Sequence, residues 1–221
     1  MCIFNESEKI NCGDEKCPHN GTKIINLHEN PIDAHLIKLC KIVAEHIRFH
    51  DTRKVITPNM LTTVGLILGL ISLVLISRKK YYLAFVFFWL CYFFDCIDGY
   101  YARRYKMTSQ FGDYYDHFRD IIINGVVLIL IYQHLNTRQE KNTFVIIGTI
   151  ALILMLTHLG CQELNSAVQK DNICLKFLSP LSKKKEHIKY TKYVGNGTYI
   201  LVISLFILYL GIKQQLLAQR G

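Results

Sequence analysis

Five stretches of this 221-residue chain are free of charge and apolar for most of the ~20 residues that a helix needs to cross a bilayer. They cover residues 61–77, 81–94, 121–135, 144–160 and 198–212, and basic residues cluster between them. A soluble domain must cover its surface with polar side chains. A chain that is 51% apolar and 19% charged, with a mean hydropathy of +0.20, has too few of them. Disordered chains, coiled coils and most soluble enzymes are thereby excluded. The expected fold is an all-α integral membrane protein, a bundle of five to six transmembrane helices with an N-terminal interfacial amphipathic helix.

Punctuation at the ends of the runs supports this division. Thr57 followed by Pro58 is an N-cap with proline at the first helical position, and Arg78-Lys79-Lys80 stops the first run. A sixth span would have to lie around residues 173–181, where Pro180 and the short apolar length argue against it. Residues 1–31 are polar and read as a flexible tail without an apolar signal-peptide core. Its Cys2, Cys12, Cys17 and His19 match no ordinary zinc spacing, so reduced thiols are expected there. Residues 32–56 form a juxtamembrane segment. Ile32, Leu36, Leu39, Val43 and Ile47 share one helical face, suited to the headgroup layer or to another helix, and the direct lead into a span favours the headgroup layer.

The net charge of +9 raises the question of nucleic acid. Lys and Arg sit beside apolar runs, with no basic helix interleaved with stacking aromatics. Anionic headgroups or phosphorylated substrates are therefore the expected partners, and nucleic acid is not. With the N-terminus in the cytoplasm, that side carries sixteen Lys and Arg and the other five, leaving out both tails. The acidic helix ends described next then face the cytoplasm, at the endoplasmic reticulum if the cell is eukaryotic.

Asp95 and Asp98, three residues apart, end the second run on one helical side, and Asp116 and Asp120, four apart, begin the third in the same way. Gly112 continues the second stripe, while Gly99 and Ala102 lie on the first and allow close approach. Charges snorkelling at helix ends explain one or two such residues, not four in two helical pairs. An unpaired carboxylate at membrane depth costs a few kcal/mol, and neighbouring carboxylates repel. Divalent cations relieve both problems, and oxygen-rich aspartate clusters suit Mg²⁺ or Mn²⁺, with two ions being a familiar arrangement for phosphoryl transfer. Four aspartates lining the path of a cation carrier would instead be spread through membrane depth.

These positions spell Asp95-x-x-Asp98-Gly99-x-x-Ala102-Arg103, then eight residues, then Gly112-x-x-x-Asp116-x-x-x-Asp120. The pattern resembles the signature of the CDP-alcohol phosphatidyltransferase family at all eight specified positions. The resemblance covers about 48–212, with the transmembrane domain expected over 57–216. It implies a six-helix, usually homodimeric bundle whose cytosolic cavity displaces CMP from a CDP-linked donor with an alcohol acceptor. Asp95, Asp98 and Asp116 would hold the metals with Asp120 near them, and Asp120 would also be the general base. Gly99, Arg103 and Ser109 would contact the CMP part of the donor. Arg104, Lys106 and Arg119 are candidate contacts for an acceptor phosphate, or serve only the cytoplasmic charge bias. His117 suits hydrogen bonding better than a hard cation. His117 and the Arg103-Arg104 pair resemble the branch that transfers choline or ethanolamine phosphate to diacylglycerol. The chain's length favours instead CDP-diacylglycerol with a polar alcohol of the inositol or glycerol phosphate type.

Overall fold

The computed structural model describes residues 28–51, 55–165 and 187–219. Most of the polar tail, with its cysteines, lies outside the described residues, as does the stretch considered for a sixth span. Among the described residues there is no strand. The chain forms α1 (Pro31–His50), α2 (Pro58–Ser77), α3 (Tyr81–Arg104), α4 (Gln110–His134), α5 (Arg138–Asn165), the short α6 (Ile188–Thr191) with a 3-10 turn after it (Lys192–Val194), and α7 (Asn196–Ala218).

Local chemistry starts these helices, at Thr57 where the sequence predicts and at two further caps that it does not. Asn30 caps α1 by accepting from Ile32 N, and Thr57 caps α2 by accepting from Met60 N, each followed by proline. Ser109 caps α4 by accepting from Gly112 N. The tight reversals after α2 and α3 put Lys79 and Lys106 in the left-handed region, at φ 58° and 57°.

Among the described residues, four segments are long and apolar enough to cross a membrane: α2, α3, most of α5, and α6 through α7. Helix α4, also expected to span, is 25 residues long, but its first three turns carry the acidic stripe and dilute its hydropathy. Helices in lipid gain little from excluding water, so close packing must hold them together. Here α2 supplies the small residues. A Cβ at Gly69 would lie 2.9 Å from Ile123 and 3.1 Å from the Cys91 sulfur, so α2, α3 and α4 meet at that glycine. Ile76, Phe88, Ile123, Val127, Ile203 and Ile207 fill the shared core.

One end of the bundle gathers the start of α2, the end of α3 and the starts of α4 and α7. At the other end Lys213 of α7 pairs with Glu140 of α5 at 2.5 Å, and Tyr82 of α3 donates to Gln215 at 2.8 Å. The end of α5 returns to the first end, where His158 Nδ1 lies 3.1 Å from the Thr191 hydroxyl.

Helix α1 runs alongside the second half of α3, from Tyr92 to Tyr105. The buried face is Asp33, Cys40 and Ala44, one position away from the predicted row, because the small Cys40 and Ala44 let the helices approach. Of the predicted row only Leu39 stays exposed, as do Ile42 and Phe49 outside it, while Leu36, Val43 and Ile47 pack against the core. Asn30 Nδ2 donates to the Thr198 hydroxyl and to Lys192 O, both at 2.8 Å. Asp33 accepts from the Tyr92 hydroxyl and from Gly197 N. Polar contacts thus fasten α1 to α3 and α7, and no disulfide joins Cys40, Cys91 or Cys96.

Burial raises the Asp33 carboxyl to about 6, and the hydrogen bonds from Tyr92 and Gly197 pull the other way. Between about pH 4 and 6 the folded protein then holds more protons at Asp33 than the unfolded chain. This contribution to stability is full below that window and is lost as pH rises through it. Melting temperatures in detergent should therefore lose part of this slope in Asp33→Asn. An identical pH profile in the variant would contradict the account.

Candidate metal and nucleotide site

The acidic site lies at the end where α2, α3 and α4 converge. Asp95 and Asp98 project from the last turns of α3, and Asp116 and Asp120 from the second and third turns of α4. Carboxylate oxygens of Asp95, Asp98 and Asp116 lie within 4.8 Å of one another, and Asp120 stands outside that set. Side-chain exposure rises from 4% at Asp98 through 15% at Asp95 and 28% at Asp116 to 39% at Asp120. Asp120 is thus the carboxylate most open to an arriving molecule.

Arg119 sits at the centre of the four. Its Nη1 lies 3.2 Å from Asp98 Oδ2, and its Nη2 donates to Asp95 and, at 2.7 Å, to Asp120 Oδ1. The same Nη2 is 2.8 Å from Asp116 Oδ1, but without hydrogen-bond geometry, so that buried oxygen has an ion pair and no hydrogen bond. The sequence offered Arg119 as a phosphate contact. The fold turns it inward instead, because i and i+3 share a helical face, and Arg119 follows Asp116 by three. Glycine makes the room: a Cβ at Gly65 of α2 would come within 3.1 Å of Arg119 Nη1.

Four carboxylates facing one guanidinium leave formal negative charge in a half-buried end, which is unfavourable without a further cation. Hard oxygen donors of this kind suit Mg²⁺ or Mn²⁺. The buried Asp116 oxygen without a hydrogen bond is an acceptor still to be satisfied. The donor set therefore fits a divalent ion on Asp95, Asp98 and Asp116.

The other sequence candidates fall around this centre. Arg103 folds back along α3, so that a Cβ at Gly99 would lie 3.1 Å from its Nη1; that glycine makes room for the arginine. Ser109 is exposed, with its hydroxyl engaged as the α4 cap. Arg104 lies on the side of α3 where its charge acts on Tyr100 and Tyr105, toward α1. Lys106 is exposed in the reversal between α3 and α4. His117 turns back to the Asp113 carbonyl at 2.7 Å.

Sequence reasoning missed Thr62, whose hydroxyl donates to Asp98 Oδ2 at 2.7 Å. It also missed Gly65 and Gly69. Their small-x-x-x-small spacing in an apolar run was a readable sign of close helix packing. Beside the acids, a cleft between α3, α4 and α7 is lined by Asp95, Asp120, Asn124 and Asn196 and by apolar side chains.

Gly65→Val should push Arg119 out of the cluster and destabilise the protein by ~1–3 kcal/mol. Gly125→Val is the control, since a Cβ at Gly125 has nothing within 4 Å. Equal thermal melting of the two variants would deny Gly65 this role.

A family model for CDP-alcohol phosphatidyltransferase matches residues 55–218, which include every one of these site residues. No curated protein and no solved structure matches the chain significantly.

Proposed function

Because the chain belongs to the CDP-alcohol phosphatidyltransferase family, a family of phosphotransferases, we propose that the acidic end is its active site and that the reaction depends on a divalent metal. The observation that carries this reading is the division among the acids. Three offer oxygens within 4.8 Å of one another, and the fourth, Asp120, shares Arg119 Nη2 with them and is the most exposed.

Asp95, Asp98 and Asp116 would hold Mg²⁺ or Mn²⁺, which when bound neutralises the donor's diphosphate. Asp120 takes the proton of the acceptor hydroxyl, a task that needs a carboxylate within hydrogen-bond reach. The acceptor oxygen bonds to the phosphorus farther from cytidine, the bond to the nearer phosphate breaks, and CMP leaves with that phosphate. Arg103 presents a planar fork to diphosphate oxygens, where lysine would offer a point charge. Gly99 supports this by leaving room for the Arg103 guanidinium. Ser109 closes the nucleotide side, and the exposed Lys106 stands as a basic contact for an approaching phosphate, whereas Arg104 faces α1. Arg119 holds the four acids together in the resting protein, which favours a positioning role for it. The bias of basic residues toward this end supports a cytoplasmic orientation.

Purified protein should release CMP from a CDP-alcohol with Mg²⁺ or Mn²⁺ and not in chelator. Asp120→Asn should lower turnover by roughly 10²–10⁴-fold while keeping the thermal stabilisation that the metal confers. Asp98→Asn should lose that stabilisation. Undiminished turnover in Asp120→Asn would remove the assigned base.

A further inference from the structure

Resting on the active-site reading above, we propose that Arg119 and the divalent ion are alternative occupants of one seat, so that the guanidinium must leave the acids for the ion to bind. Arg119 meets each acid through a single carboxylate oxygen: Asp95 Oδ1, Asp98 Oδ2, Asp116 Oδ1 and Asp120 Oδ1. Asp95, Asp98 and Asp116 are also the acids whose oxygens lie within 4.8 Å of one another. Nη2 stands among Asp95, Asp116 and Asp120, 2.8 Å from Asp116 Oδ1 and 2.7 Å from Asp120 Oδ1, and Nη1 stands beside Asp98. Mg²⁺ binds oxygen at about 2.1 Å, closer than those nitrogens do. An ion drawing on the same oxygens would meet the guanidinium's own space, or stand against its like charge with no water between them.

The guanidinium is a poor match for this seat, and an ion is a better one. Nη2 has two hydrogens and three carboxylates beside it. It donates to Asp95 and Asp120, and the buried Asp116 Oδ1 receives no hydrogen bond. A divalent ion carries twice the charge of Arg119 and needs no hydrogens, so it satisfies Asp116 along with Asp95 and Asp98. The cluster also has the means to survive the exchange. The Thr62 hydroxyl donates to Asp98 Oδ2 at 2.7 Å independently of Arg119. The more exposed Asp116 and Asp120 mark the side on which the guanidinium can leave.

Competition of this kind sets the affinity. An apparent dissociation constant rises by the inverse of the fraction of protein that can receive the ligand. If Arg119 leaves the seat free about a tenth of the time, the acids bind metal about tenfold more weakly than they would alone. Arg119 thus keeps the four carboxylates together and also holds their metal affinity down. Its removal then has two effects of opposite sign, a weaker fold and a tighter ion. A side chain that only positioned the acids would give one sign, because its loss would loosen the cluster and weaken the ion as well.

The test titrates purified protein in detergent with Mn²⁺, reading bound ion by electron paramagnetic resonance and stability by thermal melting. Arg119→Gln should melt below wild type in chelator, bind Mn²⁺ roughly tenfold more tightly, and gain more melting temperature from it. Arg119→Lys, which engages one or two oxygens as a point charge, should fall between the two. Equal or weaker Mn²⁺ binding in Arg119→Gln overturns the inference and leaves the active-site reading standing. A second measurement needs no variant to fold. Arg119 is fully buried, so the arginine reagent phenylglyoxal should modify it slowly in chelator and faster with Mn²⁺, as read by mass spectrometry of the α4 peptide. Unchanged or slower modification with Mn²⁺ overturns the exchange. No Mn²⁺ binding by wild type or either variant would overturn the inference and the metal-dependent active site together.

Discussion

The arrangement depends on one buried guanidinium surrounded by four carboxylates. Arg119 touches acids from the last turns of α3 and the early turns of α4 at once, and so ties two helices that enter from different directions. Only arginine has the reach and the planar set of donors to do this; lysine would engage one or two oxygens as a point charge. The pairing also explains how four carboxylates can stay together in the folded protein. Without Arg119 the carboxylates would repel, and with it they stay close yet incompletely satisfied, Asp116 above all. A buried ion pair of this kind is weak evidence for stability. Its physical meaning here is a site held ready for more positive charge.

That cluster needs helices that approach closely, and lipid provides no hydrophobic push toward one another. Small residues supply the approach instead. Gly65 admits the guanidinium, and Gly69 admits Ile123 and the Cys91 sulfur. Cys40 and Ala44 do the same for α1 against α3. Helix α1 is then fixed by hydrogen bonds from Asn30 and Asp33 to α3 and α7. The result is a polar layer behind the acids, with Tyr92 three residues before Asp95. Both sides of the acidic end of α3 are therefore held, by α2 and α4 on one and by α1 on the other.

The cleft beside Asp120 follows from the same geometry. Helix α7 packs against α3 and only lightly against α4, and that looser seam is where Asn124 and Asn196 meet the acids.

Much of this was legible in the residue order. Apolar length and charge placement define the spans, the Thr57-Pro58 pair starts α2, and the three- and four-residue spacings put each aspartate pair on one face, because helical periodicity is local. The partners were not legible. Nothing local says that Arg119 turns inward, that Thr62 meets Asp98, or that α1 buries Cys40 and Ala44 while leaving Leu39 exposed. Those outcomes depend on which helix lies opposite and how near it comes. The sequence by itself determined a helical membrane chain with two acidic pairs at one end. Only the tertiary structure decided that the pairs converge on one arginine beside an amide-lined cleft, since interhelical distance is set by small residues on separate helices acting together.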